Sequence, residues 1–117
     1  MQRASGLSVG VADATRGRPA AGIALRLSLF DDGWRELLAT VTNEDGRTVG
    51  PLLSSSELRP GRYELELAVG DYFRGRADVA EPPFLDRVPI RFGVAPGTDG
   101  MHLAVVLTPW SSSFART

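Results

Sequence analysis

The sequence predicts an all-β fold in which short strands pack as an antiparallel β-sandwich. Three observations favour this class. Thirteen glycines and eight prolines divide the chain into short segments, apolar residues recur at every second position within those segments, and the segments follow one another at intervals of about ten residues. With 117 residues, the chain is long enough for one hydrophobic core, and we expect a single domain over residues 1–117.

The first half of the chain predicts three strands separated by turns. Residues 7–13 form the first, because Leu7, Val9 and Val11 alternate with smaller residues. A turn or loop follows at 15–19, where Gly and Pro are concentrated. Residues 23–29 and 34–42 are the next two strands, and the Asp-Asp-Gly sequence between them is typical of a hairpin turn.

The second half continues with short elements. A tight turn at 43–46 leads directly to Arg47, and Pro51 leaves room only for a short edge strand at 49–52. The clearest alternation, at 63–69, predicts a strand with one solvated face. Residues 71–79 are the one candidate helix, with Asp71 as its N-cap. A strand at 88–94 contains Pro89, which predicts an edge position.

The strand predicted at 101–107 is apolar on both faces. Because side chains alternate along a strand, Met101, Leu103, Val105 and Leu107 share one face. His102, the only histidine, lies on the opposite face with small and apolar neighbours. We expect the core to cover the first face and something else to cover the second. After this strand, the chain breaks at 108–110 and ends in a polar run at 111–117.

Composition excludes several classes of function. The formal net charge of -1 and the absence of a Lys/Arg cluster argue against binding of nucleic acid or of a membrane surface. Without cysteine there is no disulfide, thiolate nucleophile or zinc-thiolate site, and one histidine makes any metal site implausible. We expect no cofactor. The first residues lead into no apolar run long enough for a signal peptide or a membrane span, so we predict a cytoplasmic protein.

Five motifs, in order along the chain, carry a resemblance to a known family. They are VADATRGRPA (11–20), TNEDGR (42–47), GRYEL (61–65), PFL with VPIRF (83–85 and 88–92), and LTPWS (107–111). Together they resemble the transthyretin family, and more closely its 5-hydroxyisourate hydrolases. The resemblance implies two four-stranded sheets, one short helix, and a homotetramer, a dimer of dimers joined edge to edge around a central channel.

The hydrolases hydrolyse a cyclic amide bond of 5-hydroxyisourate, the product of urate oxidation, so the resemblance implies a role in urate (purine) catabolism. It assigns proton transfer to His102 and stabilisation of the oxyanion to Arg47. It also implies substrate contacts for Arg116, Gly10 and Thr117. Here the chain departs from the pattern, because Gly10 replaces the family's first histidine. Of the family's C-terminal Tyr-Arg-Gly-Ser only the arginine is present, as Arg116.

Alternatives remain open at this point. His102 could be a structural histidine, Arg47 a solvated turn residue, and Arg116 a solvated terminal residue. Gly10 either enlarges the channel for a bulkier substrate or marks a site that has lost catalysis. The second reading of the chain is therefore a family member acting on another substrate in a biosynthetic pathway, or a non-catalytic tetramer that binds a small molecule. A third is a structural protein without a ligand.

Overall fold

The computed structural model describes residues 5–117, and within that range it contains eight β-strands and one short α-helix. These are β1 (Gly6–Asp13), β2 (Arg18–Pro19), β3 (Ala24–Phe30), β4 (Trp34–Val41), β5 (Gly61–Ala68), α1 (Val69–Phe73), β6 (Arg87–Val94), β7 (Gly100–Thr108) and β8 (Ser111–Arg116). Residues 1–4 lie outside that range, and with them part of the segment for which we expected neither a signal peptide nor a membrane span. The one helix between residues 5 and 117 is too short to cross a membrane.

The strands form two four-stranded sheets, which confirms the predicted sandwich. One sheet has the order β2-β1-β7-β8 and the other the order β4-β3-β5-β6. All neighbouring strands are antiparallel except β1 and β7, which run parallel from the Gly6–Gly100 pair to the Asp13–Leu107 pair. This parallel pair is central to the site, because it places Ser8 beside His102.

Burial follows the predicted alternation. In β7 the four residues Met101, Leu103, Val105 and Leu107 are buried, whereas His102 is half-buried and Val106 is 42% exposed. Apolar side chains of β1, β3 and β5 meet them from the other strands. Removal of this apolar surface from water is the main stabilising contribution to such a sandwich. β6 is at a sheet edge, as Pro89 predicted.

The helix differs from its prediction. It spans Val69–Phe73 instead of 71–79, Ala68 occupies the N-cap position, and no side chain caps it. The predicted cap, Asp71, instead forms an ion pair with Arg74 at 2.7 Å. Four of its five residues are buried, and these are Val69, Gly70, Tyr72 and Phe73. The helix is therefore stabilised by packing against the core, which propensity and capping rules do not take into account.

Two other segments also differ from expectation. The edge strand predicted at 49–52 is absent. The next residue, Leu53, forms a single β-bridge with Leu7, and the side chains of Leu52 and Leu53 are buried in the core. The polar run at 111–117 forms β8, which lies antiparallel to β7 at the sheet edge. Its polar side chains suit a strand that leaves one edge free for solvent or for another chain.

Candidate functional site

The turn at residues 43–46 presents Arg47. The Asn43 side-chain oxygen accepts hydrogen bonds from the backbone N–H groups of Asp45 (2.9 Å) and Arg47 (3.2 Å). The backbone N–H of Gly46 donates to the Asn43 carbonyl oxygen at 2.9 Å. An asparagine that bonds to the backbone following it is a common way to close a tight turn. The arginine backbone is thereby fixed by its own local sequence.

This turn docks on β1 through a glycine. The N–H of Val11 donates to the Gly46 carbonyl oxygen at 2.8 Å, and Gly10 forms an antiparallel β-bridge with Arg47. Gly46 has a φ of 73°, and a Cβ at this position would overlap the carbonyl oxygen of Val11. Both the backbone conformation and the close approach therefore require glycine. As a result, Arg47 lies alongside the strand that neighbours His102.

Thr42 anchors the base of the same turn. It is buried, its hydroxyl donates to the Ala20 carbonyl oxygen at 2.6 Å, and it accepts from the Ile23 N–H at 3.0 Å. Ala20 in turn donates its N–H to the Val11 carbonyl oxygen at 2.9 Å. Breaking a buried hydrogen bond of this kind is costly, because the donor and the acceptor are then left without a partner in a place that water does not reach. The turn is thus tied to β1 at two points.

His102 projects from the outer face of β7. Its Nδ1 lies 2.7 Å from the Ser8 hydroxyl oxygen, and its Nε2 lies over Gly10, where a Cβ would be only 3.4 Å away. Burial lowers the pKa of His102 below the ordinary value of 6.5, and the positive charge of Arg47 lowers it further. Both effects disfavour the imidazolium form. At neutral pH the imidazole is therefore uncharged and able to accept a proton.

Arg47 and His102 border one open depression of about 490 Å³, which we call the His102 cavity. Its other lining residues are small, apolar or charged groups of β1, β7 and the nearby turns, among them Gly10, Ala12, Arg18, Asp45, Ala104 and Val106. A neutral base and a cation beside an apolar floor can activate a water molecule and stabilise a developing negative charge. The size suits a small organic ring.

The two predicted tail residues differ in position. The backbone of Thr117 pairs with that of His102, donating at 2.8 Å and accepting at 3.3 Å. Arg116 pairs with Leu103, whose side chain faces the core, so the register directs Arg116 away from the face that carries His102. Arg116 is exposed and is not one of the residues lining the His102 cavity. Within one chain, the structure brings Gly10, Arg47 and His102 together and leaves Arg116 apart.

Ser8 is a residue that sequence reasoning missed. Alternation places it on the same face of β1 as Gly10, and this signal was available. The hydrogen bond to His102 also needs the parallel β1–β7 register, which pairs Ser8 with His102 directly. The residues from 5 to 117 contain no cluster of three or more His, Cys, Asp or Glu side chains that could hold a metal ion.

A second depression, of about 370 Å³, lies on the outer face of the other sheet. Its charged side chains are already paired, with Glu66 accepting from Arg26 at 2.6 Å and lying 3.4 Å from Arg87. A ligand there would have to compete with these contacts. The His102 cavity, in which a neutral imidazole faces a cation, is the stronger candidate.

Comparisons with known proteins identify the family of the chain. A family model described as "HIUase/Transthyretin family" matches residues 7–116. A 5-hydroxyisourate hydrolase of Deinococcus radiodurans is 44% identical over 112 residues, covering 95% of this chain and 94% of the relative. A crystal structure of (S)-allantoin synthase superposes with a TM-score of 0.87 and 32% identity over 97% of this chain, which spans 44% of that longer chain. Sea bream transthyretin in complex with thyroxine superposes with a TM-score of 0.84 and 27% identity over 95% of this chain and 93% of its own.

Proposed function

This chain belongs to the HIUase/transthyretin family, and from that premise we propose that it hydrolyses 5-hydroxyisourate, opening a ring at a cyclic amide bond as a step of urate catabolism. The observation that carries the proposal is the joint placement of His102 and Arg47 on the His102 cavity. Several similar proteins, from Deinococcus radiodurans to mouse, bear the name 5-hydroxyisourate hydrolase, and this supports the choice of substrate.

The proposed reaction uses His102 as the proton-transfer group. The neutral imidazole accepts a proton from water as the water oxygen attacks the amide carbonyl carbon. Negative charge then develops on the carbonyl oxygen, and the Arg47 guanidinium stabilises it. The carbon–nitrogen bond breaks, the imidazolium returns its proton to the departing nitrogen, and the products are a carboxylic acid and a free N–H group. No cofactor takes part in these steps.

The remaining site residues are assigned supporting roles. Gly10 leaves the floor beside Nε2 of His102 open for the substrate ring or the attacking water. Thr117 follows directly after β8, and we assign it a substrate contact because its backbone is hydrogen-bonded to that of His102. For Arg116 the register supports no contact within its own chain, so we assign its substrate contact to the cavity of a neighbouring copy.

A homotetramer, a dimer of dimers with a central channel, completes the proposal. Two features support it. β8 and β6 are edge strands whose outer backbone groups can pair with a second copy. The outer face of the β2-β1-β7-β8 sheet exposes Val106 next to the half-buried Ala104, an apolar surface that a soluble subunit would be expected to cover. The lack of cysteine agrees with a reducing, cytoplasmic location.

The second candidate function rests on Gly10. Without a side chain there, the His102 cavity has no second histidine beside Nε2 and gains space. Both consequences favour either a bulkier substrate of another pathway or a tetramer that binds a small molecule without turning it over. Consumption of the ligand separates an enzyme from a binder, because a binder shows affinity for a ligand without converting it.

Disappearance of freshly generated 5-hydroxyisourate, followed by ultraviolet absorbance, tests the proposal. We expect the purified protein to accelerate the spontaneous decay in proportion to its concentration and to saturate with substrate. Decay at the spontaneous rate would reject hydrolysis of this compound. In that case, titration of the channel with cyclic amides and imides would identify the substrate or ligand of the second candidate function.

A further inference from the structure

The hydrogen bond between Ser8 and His102 fixes one edge of the imidazole. The Ser8 hydroxyl oxygen lies 2.7 Å from Nδ1, and the two residues are direct partners in the parallel β1–β7 register. Both side chains are half-buried. A serine hydroxyl can donate or accept, so the direction of this hydrogen bond depends on which ring nitrogen carries the proton.

The other edge of the imidazole faces the cavity. Nε2 and Cε1 lie above Gly10, within 3.4 and 3.5 Å of where a Cβ would stand. Gly10 lines the His102 cavity, whereas Ser8 does not. The two ring nitrogens therefore have separate environments. Nδ1 meets a strand hydroxyl, and Nε2 meets the space in which a substrate would react.

Charge decides between the two neutral tautomers. Gly10 lies next to the Nε2 edge of the imidazole and is also the β-bridge partner of Arg47. Of the charged side chains lining the cavity, which are Asp13, Arg18, Asp45 and Arg47, Arg47 is the one whose charge acts on the imidazole. A ring nitrogen with a lone pair turned toward a cation is favoured over an N–H turned toward it. Nδ1 then carries the proton, and Ser8 accepts it in a hydrogen bond.

We propose that Ser8 is a positioning residue that holds His102 as the Nδ1-protonated tautomer, with the unprotonated Nε2 directed into the cavity. The tautomer assignment rests on the hydrogen-bond geometry and on the charge of Arg47, whereas its consequence for hydrolysis rests on the proposed function. A general base must present an unprotonated nitrogen to the water that it activates. Ser8 thus acts through His102 and does not itself contact the reacting atoms.

Nitrogen-15 NMR of the imidazole tests the tautomer directly. His102 is the only histidine of the chain, so every imidazole signal of the labelled protein belongs to it. At a pH above the imidazole pKa, we expect a protonated-type shift for Nδ1 and an unprotonated-type shift for Nε2. In S8A the two shifts should move toward each other as the tautomers mix. A wild-type protein with its proton on Nε2 would overturn the inference, as would S8A shifts identical to those of the wild type.

Kinetics with a matched control test the consequence. We expect S8A to lower kcat/KM on the order of 5- to 10-fold, the value of one hydrogen bond, with the loss mainly in kcat. Ser8→Thr keeps the hydroxyl and should restore most of the rate. Ser28→Ala is the control, because Ser28 is also a half-buried strand serine but lies in the other sheet. If S28A lowers kcat as much as S8A does, the effect is not specific to His102 and the positioning role is wrong.

The tautomer of His102 and the hydrolysis of 5-hydroxyisourate are tested by separate results. If the wild-type tautomer is as stated but 5-hydroxyisourate is not consumed, the proposed function fails and the role of Ser8 in orienting His102 stands. If the compound is hydrolysed by a protein whose Nε2 carries the proton, the hydrolase stands and the role of Ser8 falls. The tautomer measurement on the wild-type protein needs no variant, so it gives a result even if S8A does not fold.

Discussion

Gly10 and Arg47 are partners in an antiparallel β-bridge, although one lies in the first strand and the other at the exit of a turn far along the chain. The bridge places the arginine backbone next to the strand that pairs with the His102 strand. The same glycine leaves the space above which Nε2 of His102 lies. One small residue thus both positions the backbone of Arg47 and keeps the cavity open.

Arg47→Ala is expected to change both kcat and the pKa of His102. Loss of a group that stabilises an oxyanion typically lowers kcat by about 100- to 1,000-fold. Because Arg47 lowers the pKa of His102, its removal should also raise that pKa toward 6.5. Arg47→Lys is the control, since it keeps the charge. NMR titration of the single histidine and steady-state kinetics measure the two effects, and an unchanged pKa in Arg47→Ala would contradict the charge coupling.

Gly46→Ala should detach the turn that carries Arg47. The new Cβ would overlap the Val11 carbonyl oxygen at a φ that also disfavours alanine. We expect a loss of roughly 2 kcal/mol in the free energy of unfolding, together with a loss of activity. Gly17→Ala is the matched control, because Gly17 has a similar φ of 65° but no atom within 4 Å of a Cβ. Equal losses in both variants, measured by urea unfolding, would rule out the close approach as the cause.

The acid limb of the pH–rate profile should report His102. Burial and Arg47 lower its pKa, so kcat/KM should fall only when the pH drops below the ordinary value of 6.5. The folded state binds fewer protons than the unfolded state just below that value, and stability should therefore rise with pH through this window. His102→Gln should lose this contribution to the pH dependence of unfolding. An acid limb centred above 6.5 would show that burial and Arg47 do not dominate.

Gly10→Val should separate stability from function. Valine suits a strand better than glycine does, so its intrinsic effect on stability is favourable. Its branches would extend past the 3.4 Å contact with Nε2 and fill the cavity beside His102. We expect activity to fall at least about 10-fold while the melting temperature is kept. Gly10→Ala adds only the Cβ at ordinary contact distance and should retain most activity. Full activity in Gly10→Val would show that the space above Gly10 is not used.

Asp13 is expected to be structural although it adjoins the cavity. It is fully buried, and one carboxylate oxygen accepts from the N–H groups of Thr15 (3.0 Å) and Arg16 (3.3 Å). The other accepts from the Tyr72 hydroxyl at 2.9 Å, and burial together with this hydrogen bond raises the pKa of Tyr72, which stays protonated.

Asp13→Ala should lower the free energy of unfolding by roughly 3 kcal/mol, because several buried donors lose their acceptor. Tyr72→Phe removes one donor and should cost about 1.5 kcal/mol. Urea unfolding of both variants provides the measurement. A larger loss for Tyr72→Phe than for Asp13→Ala would show that the Asp13 carboxylate is not the main group holding this end of β1.

Periodicity was sufficient to predict most strands and the faces of β7, because alternation reports burial directly. It failed at α1, where packing of Val69 and Phe73 decides the span, and at β8, whose polar residues carry no apolar pattern. For the site, the turn motif and the family resemblance led to Arg47 and His102. Ser8 could not be assigned, since its role depends on a parallel register between strands at opposite ends of the chain. The side of the sheet on which Arg116 lies is likewise a consequence of register.

The most direct test of the central claim is a comparison of wild-type protein and His102→Gln in the hydrolysis of freshly generated 5-hydroxyisourate. Glutamine keeps a polar side chain of similar size but cannot act as a base near neutral pH. We predict clear acceleration by the wild type and a kcat/KM for His102→Gln that is lower by about 100- to 10,000-fold, with equal melting temperatures. Equal rates for the two proteins would contradict the claim that His102 is the catalytic base.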